Sequence, residues 1–143
     1  MRIVDLNVLL YAINRDSAYH AQIREWWQDA VNSRDEPIGL PWIVLLGFLR
    51  LSTNARVFPA PLTTEQASEK VETWLGHPNI KLVRERQAHW SILKRLLGRA
   101  GAAGNLTTDA HLAALAISYG AALISCDSDF SRFRELRYES PLR

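Results

Sequence analysis

Four aspartates in this 143-residue chain stand where a carboxylate has chemistry to do. Asp5, with Asn7, interrupts the apolar run "RIVDLNVLLYA"; Asp109 opens "DAHLAALAISYG"; Asp127 and Asp129 lie two apart in "ALISCDSDF". A carboxylate buried without partners costs several kcal/mol or stays protonated, so Asp5 requires a compensating group. Like charges about 4 Å apart repel by roughly 4 kcal/mol at an effective dielectric near 20, so acids gathered at one place need protons or a cation. Oxygen donors without Cys or His suit a hard ion, Mg²⁺ or Mn²⁺. Such an ion keeps several waters and acts together with substrate phosphate, which makes phosphodiester hydrolysis the matching reaction. Each acid also has a plain structural reading. Asp5 and Asp129 can cap helices, Asp129 can pair with Arg132, and Asp109 can complement a helix dipole.

The elements around these acids decide whether they meet. "RIVD" predicts a short strand and "LNVLLYAIN" a helix, which puts Asp5 where strand gives way to helix. A second helix runs through "DSAYHAQIREWWQDAVNS", with Asp16 or Ser17 as cap and a stripe of Ile23, Trp27 and Val31. "PIGLP" predicts a brief strand, "WIVLLGFLRLS" an apolar helix, and Thr63 with Gln66 a capping box that starts a helix ending near Gly76 and Pro78. "IKLV" is a strand, "RQAHWSILKRLLGRA" a helix, and "GAAGN" a loop with Gly101 as the stop. "TTDAHLAALAISYG" forms a helix capped by Thr107 or Thr108 and ended at Gly120, followed by the buried strand "AALIS", a turn into a short helix in "DSDFSRF" and an edge strand in "RYES". Strands alternating with helices predict an α/β fold, a central parallel sheet of four to five strands with helices on both faces. Ligands bind such sheets beyond the carboxyl ends of the strands. If the first strand neighbours "AALIS", then Asp5, Asp127 and the helix start carrying Asp109 share one rim.

Length fits one domain over residues 1–143. Hydrophobic residues make up 48% and the net charge is only +2, which excludes a disordered chain and a general polyanion sponge. A single cysteine, Cys126, rules out an internal disulfide and a cysteine zinc cage, as expected of a cytoplasmic protein. No stretch approaches the ~20 apolar residues of a membrane span.

"IVDLNVLLYA", "GFLRL" and "TTDAHLAALAISYGAALISCDSDF", in this order from residue 2 to about residue 140, resemble a PIN-domain ribonuclease toxin of the VapC type. The resemblance implies a Mg²⁺- or Mn²⁺-dependent endoribonuclease that cuts structured RNA such as tRNA or ribosomal RNA. It further implies a homodimer neutralised by a cognate VapB-like antitoxin. Position by position, Asp5 and Asp109 match metal-binding acids, Asp127 matches the acid after the fourth strand, and Asn7 matches the polar residue holding the first carboxylate; the shared rim adds Asp127 to the expected metal site. Ser125 matches the Ser or Thr beside the site. Many members carry a glutamate in the middle helix where this chain has Gly47. That departure puts the number of carboxylates in question and gives Asp129 a possible part in the site as a fourth acid.

Two other readings fail on missing residues. A haloacid-dehalogenase phosphatase needs a Lys and further acids after its D-x-D, and no Lys or Asp follows Asp129. A receiver domain needs an acidic pair near its first strand and a Lys after its last, and neither is present. From another class, a catalytically weakened PIN-like module that binds RNA or a partner stays open, and Mn²⁺ titration separates it from the enzyme. Trp26, Trp27, Trp42, Trp74 and Trp90 read first as core or interface and only second as base-stacking platforms. Arg50, Lys94, Arg95, Arg99 and Arg132 are candidates for tracking phosphates, although Lys94, Arg95 and Arg99 equally form a solvated helix face. His111, two residues from Asp109 on a helix, reads as packing.

Overall fold

The computed structural model describes residues 1–100 and 104–142. Five strands, β1 (Arg2–Val4), β2 (Ile38–Pro41), β3 (Ile80–Val83), β4 (Ala122–Ile124) and β5 (Arg137–Glu139), form one sheet in the order β3-β2-β1-β4-β5. Every pairing is parallel. The helices are α1 (Leu6–Ile13), α2 (His20–Asn32), α3 (Trp42–Ser52), α4 (Thr64–Gly76), α5 (His89–Ala100) and α6 (Thr107–Ser118), with 3-10 turns at Gly104–Leu106 and Ser128–Arg132.

Parallel strands joined by right-handed crossovers fix which face each helix covers. The chain steps from β1 to β2 to β3 in one direction, so α1 to α4 share a face, and α1 packs on α2 and α3 while α3 packs on α4. It then returns past β1 to β4, which carries α5 and α6 to the opposite face, where they pack on each other. The order therefore reverses between β1 and β4, and a ligand crevice opens at that switch point. Ile3, Val4, Ile38, Leu40, Leu123 and Ile124 are buried from both sides, as expected for central parallel strands.

The elements fall where the sequence predicts them, and several ends differ. α2 begins at His20 without a side-chain cap, because Asn14 accepts from the Asp16 N–H (3.1 Å) and Ser17 from the Tyr19 N–H (3.1 Å). Those side chains close the preceding turns instead of the helix. α6 likewise lacks a Thr107 or Thr108 cap: the Gly104–Leu106 turn runs straight into it, so both threonines lie inside its first turn. The capping box of Thr63 and Gln66 is present, and α6 ends at Gly120, whose φ of +60° favours glycine. Gly101 lies outside the described residues. Trp27 and Trp74 pack edge to face with centroids 5.9 Å apart, whereas Trp42 and Trp90 are exposed, contrary to a core role.

Candidate active site

Asp5 leaves the carboxyl end of β1 and caps α1, its Oδ1 accepting from the Leu6 N–H at 2.7 Å. Its own N–H donates to the Ile124 carbonyl of β4 (2.9 Å), which locks the two strand ends at the switch point together. Ser125, fully buried one residue beyond β4, donates its hydroxyl to Asp5 Oδ2 at 2.8 Å. The same Oγ accepts from Asn7 Nδ2 (3.1 Å) and from the Asp127 N–H (3.0 Å). Asn7 Nδ2 also reaches Asp5 Oδ2 (3.3 Å), and Asn7 Oδ1 accepts from the Cys126 N–H (3.0 Å). Asn7 and Ser125 thus orient Asp5 and the 125–127 turn as one unit.

Burial, in the first place, raises the Asp5 carboxyl above the usual carboxylate range; the Ser125 and Leu6 hydrogen bonds oppose the rise, and the Asp127 charge adds to it. Asp109, in the first turn of α6, is pushed up to about 6 by burial and then by the charges of Asp5, Asp127 and Asp129, with Arg132 opposing. The four predicted acids therefore share one electrostatic neighbourhood. Of these four acids, only Asp129 has an ion-pair partner among the described residues, Arg132 at 3.9 Å. Burial and the Asp5 charge hold the Cys126 thiol protonated, its pKa raised to about 11.

Asp127, not Asp129, caps the short 3-10 helix, accepting from the Asp129 N–H at 2.9 Å. The capping reading of Asp129 is corrected accordingly: its carboxylate is exposed on the first turn, beside Arg132. Gly47 is buried on α3, and a Cβ built there would lie 2.6 Å from Leu6 Cδ2. The position where many members carry a glutamate is thus a close contact between α3 and Leu6 of α1, the residue after Asp5. His111 packs against His89, with ring nitrogens 2.9 Å apart, and its other nitrogen lies 3.6 Å from Glu85. Arg95 and Arg99 are paired with Glu135, a contact that the sequence does not suggest. Tyr138 of β5 was also unforeseen; its hydroxyl donates to the Ser125 carbonyl at 3.1 Å, and only the edge pairing of β5 brings it there.

Among the described residues no three His, Cys, Asp or Glu side chains converge as a ready-made cage. Mg²⁺ does not require one, since it keeps several waters and is held by one or two carboxylates. The donor set fits such an ion: Asp5 and Asp109 are partly buried oxygen donors, raised together and left without a cation of their own.

A family model described as PIN domain matches residues 2–136. Ribonuclease VapC37 of Mycobacterium tuberculosis is 44% identical over 141 residues, covering 99% of this chain and 97% of that protein. Ribonuclease VapC33 of the same species is 45% identical over 143 residues, covering 100% and 99%. Among solved structures, a chain of VapBC2 from Rickettsia felis, bound to a DNA fragment from their promoter, aligns with a TM-score of 0.70 at 19% identity, covering 97% of each chain.

Proposed function

The chain belongs to the PIN-domain family and, within it, to the VapC ribonucleases, and from that membership we propose that it is a metal-dependent endoribonuclease, the toxin of a type II toxin-antitoxin pair. The observation that carries the site is Asp109: its carboxyl is pushed up to about 6 at a rim shared with Asp5 and Asp127. Asp5, Asp109 and Asp127 are the residues that would hold Mg²⁺ or Mn²⁺, and Asp129 adds negative charge beside them. When bound, the ion supplies Lewis-acid stabilisation of phosphoryl charge and a water acidic enough to attack phosphorus in line. Ser125 and Asn7 hold the Asp5 carboxylate in a single orientation at the end of β1. His89 and His111 are tied to each other, away from an acid-base role on a ribose hydroxyl. Products accordingly carry 5′-phosphate and 3′-hydroxyl ends, and the substrate is a structured RNA, tRNA or rRNA.

A VapB-like antitoxin partner follows from the membership and is supported by the VapBC assembly that shares this fold. The exposed Trp42 and Leu46, four residues apart on α3, offer it an apolar face. A homodimer is proposed on the membership alone, as is a cytoplasmic site of action; among the described residues no helix is long and apolar enough to cross a membrane.

The test is Asp5→Asn. Asn keeps the helix cap, so the variant is expected to fold, to lose Mn²⁺ binding by calorimetry and to cut RNA at least a hundred-fold more slowly. Undiminished cleavage, or wild-type products ending in 2′,3′-cyclic phosphate, would reject the reading. RNA binding without either Mn²⁺ binding or cleavage by the wild type would favour the weakened module.

A further inference from the structure

On the face of the sheet carrying α5 and α6, the C-terminal half of α5 and the segment after the 3-10 helix enclose a cavity of about 480 Å³. Leu96, Arg99, Arg132, Phe133, Arg134 and Glu135 line it. Its single acid is already engaged. Glu135 accepts from Arg95 Nη2 at 2.8 Å and from Arg99 Nη1 at 2.8 Å, so one carboxylate offsets one charge and holds two guanidinium groups in place. Arg132 donates Nε to the Asp129 carbonyl at 3.1 Å, which fixes the start of its side chain against the 3-10 helix. Arg134, exposed, has no ion-pair partner among the described residues. Four arginines against Glu135 and Asp129 leave the cleft net positive. The cleft adjoins the acids, because its lining residue Arg132 lies 3.9 Å from the Asp129 carboxylate.

We propose that the cleft formed by Arg99, Arg132 and Arg134 is where the RNA backbone lies, holding phosphates that flank the scissile one. This rests on the ribonuclease reading and adds to it the direction from which substrate approaches. A guanidinium presents a planar fork matched to phosphate oxygens, and three forks in one cleft recognise a repeating anion without reading its sequence. An acidic peptide fits less well. Peptide grooves recognise apolar anchors, and the apolar residues here, Leu96 and Phe133, are each only 3% exposed and offer floor rather than sockets.

The experiment measures binding of a fluorescent single-stranded RNA in EDTA, where cleavage is silent, to the wild type and to Arg99→Ala/Arg134→Ala. Both arginines are exposed, so the fold is expected to hold, and Arg134→Gln alone serves as the gentler variant. Lys70→Ala, on α4 across the sheet, is the control for general charge loss. The double variant should bind at least ten-fold more weakly, with a salt slope shallower by about 1.4, twice the ~0.7 per phosphate of a single strand. With Mn²⁺ restored, KM should rise about ten-fold while kcat and Mn²⁺ affinity stay unchanged, the signature of lost ground-state binding. Wild-type affinity and slope in both variants would overturn the inference while leaving the ribonuclease reading intact. Retained RNA binding with loss of a poly-glutamate peptide would assign the cleft to a protein partner instead. A wild type that neither binds nor cuts RNA would overturn both.

Discussion

At the scale of single residues the acid rim has a measurable cost. The folded-state pKa of Asp109, about 6, lies above its ordinary value of 3.8, so the folded protein holds that proton more tightly than the unfolded chain. The stability this contributes is complete below pH 3.8 and is lost as the pH rises through about 6. His111 acts in the opposite sense: burial and the neighbouring His89 lower its pKa, so its penalty appears as the pH falls below 6.5. Comparison with Asp109→Asn isolates the carboxylate, because both proteins retain His111. In EDTA the variant should match the wild type at pH 4 and melt several degrees higher at pH 7.5, and saturating Mn²⁺ should reverse that order. An equal difference at both pH values would show that the Asp109 charge is not under strain. Asp5 is expected to show less of this behaviour, since Ser125 and Leu6 donate to its carboxylate and partly offset its burial.

At the scale of elements, the 3-10 helix Ser128–Arg132 divides its two acids between two tasks. Asp127 both caps the helix and faces the rim, so Asp127→Ala should cost ~1 kcal/mol of stability as well as Mn²⁺ affinity. Asp129 makes no cap and is exposed, so Asp129→Asn should leave the melting temperature unchanged and weaken Mn²⁺ only a few-fold, through the lost charge near Asp109. A lowered melting temperature with full metal affinity would return Asp129 to a purely structural role. This division was illegible in the sequence, because "DSDFSR" offers two acids at capping distance and only the backbone path out of β4 selects one. The same limit explains α2, where Ser17 closes the preceding turn, and α6, whose threonines lie inside its first turn. What periodicity and strand-end logic could reach was the rim itself: Asp5 ending "RIVD", Asp127 after "AALIS" and Asp109 at a helix start needed only β1 beside β4. The family resemblance put Ser125 beside the site, but its part as a hydrogen-bonding hub needed the strand ends of β1 and β4 side by side. Tyr138 and Arg134 were not legible, because β5 and its approach acquire meaning only from edge pairing with β4.

For the whole molecule, the sheet order arranges three surfaces around one rim. The switch point between β1 and β4 holds the acids, the α5–α6 face holds the arginine cleft, and α3 on the other face exposes Trp42 at 44% and Leu46 at 58%. α3 starts from the carboxyl end of β2, so this apolar face begins at the rim and a partner lying on it can also shield the acids. An amphipathic antitoxin helix is the matching occupant, reading anchors at i and i+4. Leu46→Glu is the sharp probe: the residue is exposed, so stability should shift by less than about 0.5 kcal/mol and RNA cleavage should continue at the wild-type rate. Titrating the cognate antitoxin into that cleavage assay should require at least ten-fold more inhibitor than the wild type needs. Equal inhibition of both proteins would remove α3 from the antitoxin interface. Intact inhibition with a halved mass by light scattering would give this face to a second copy of the chain.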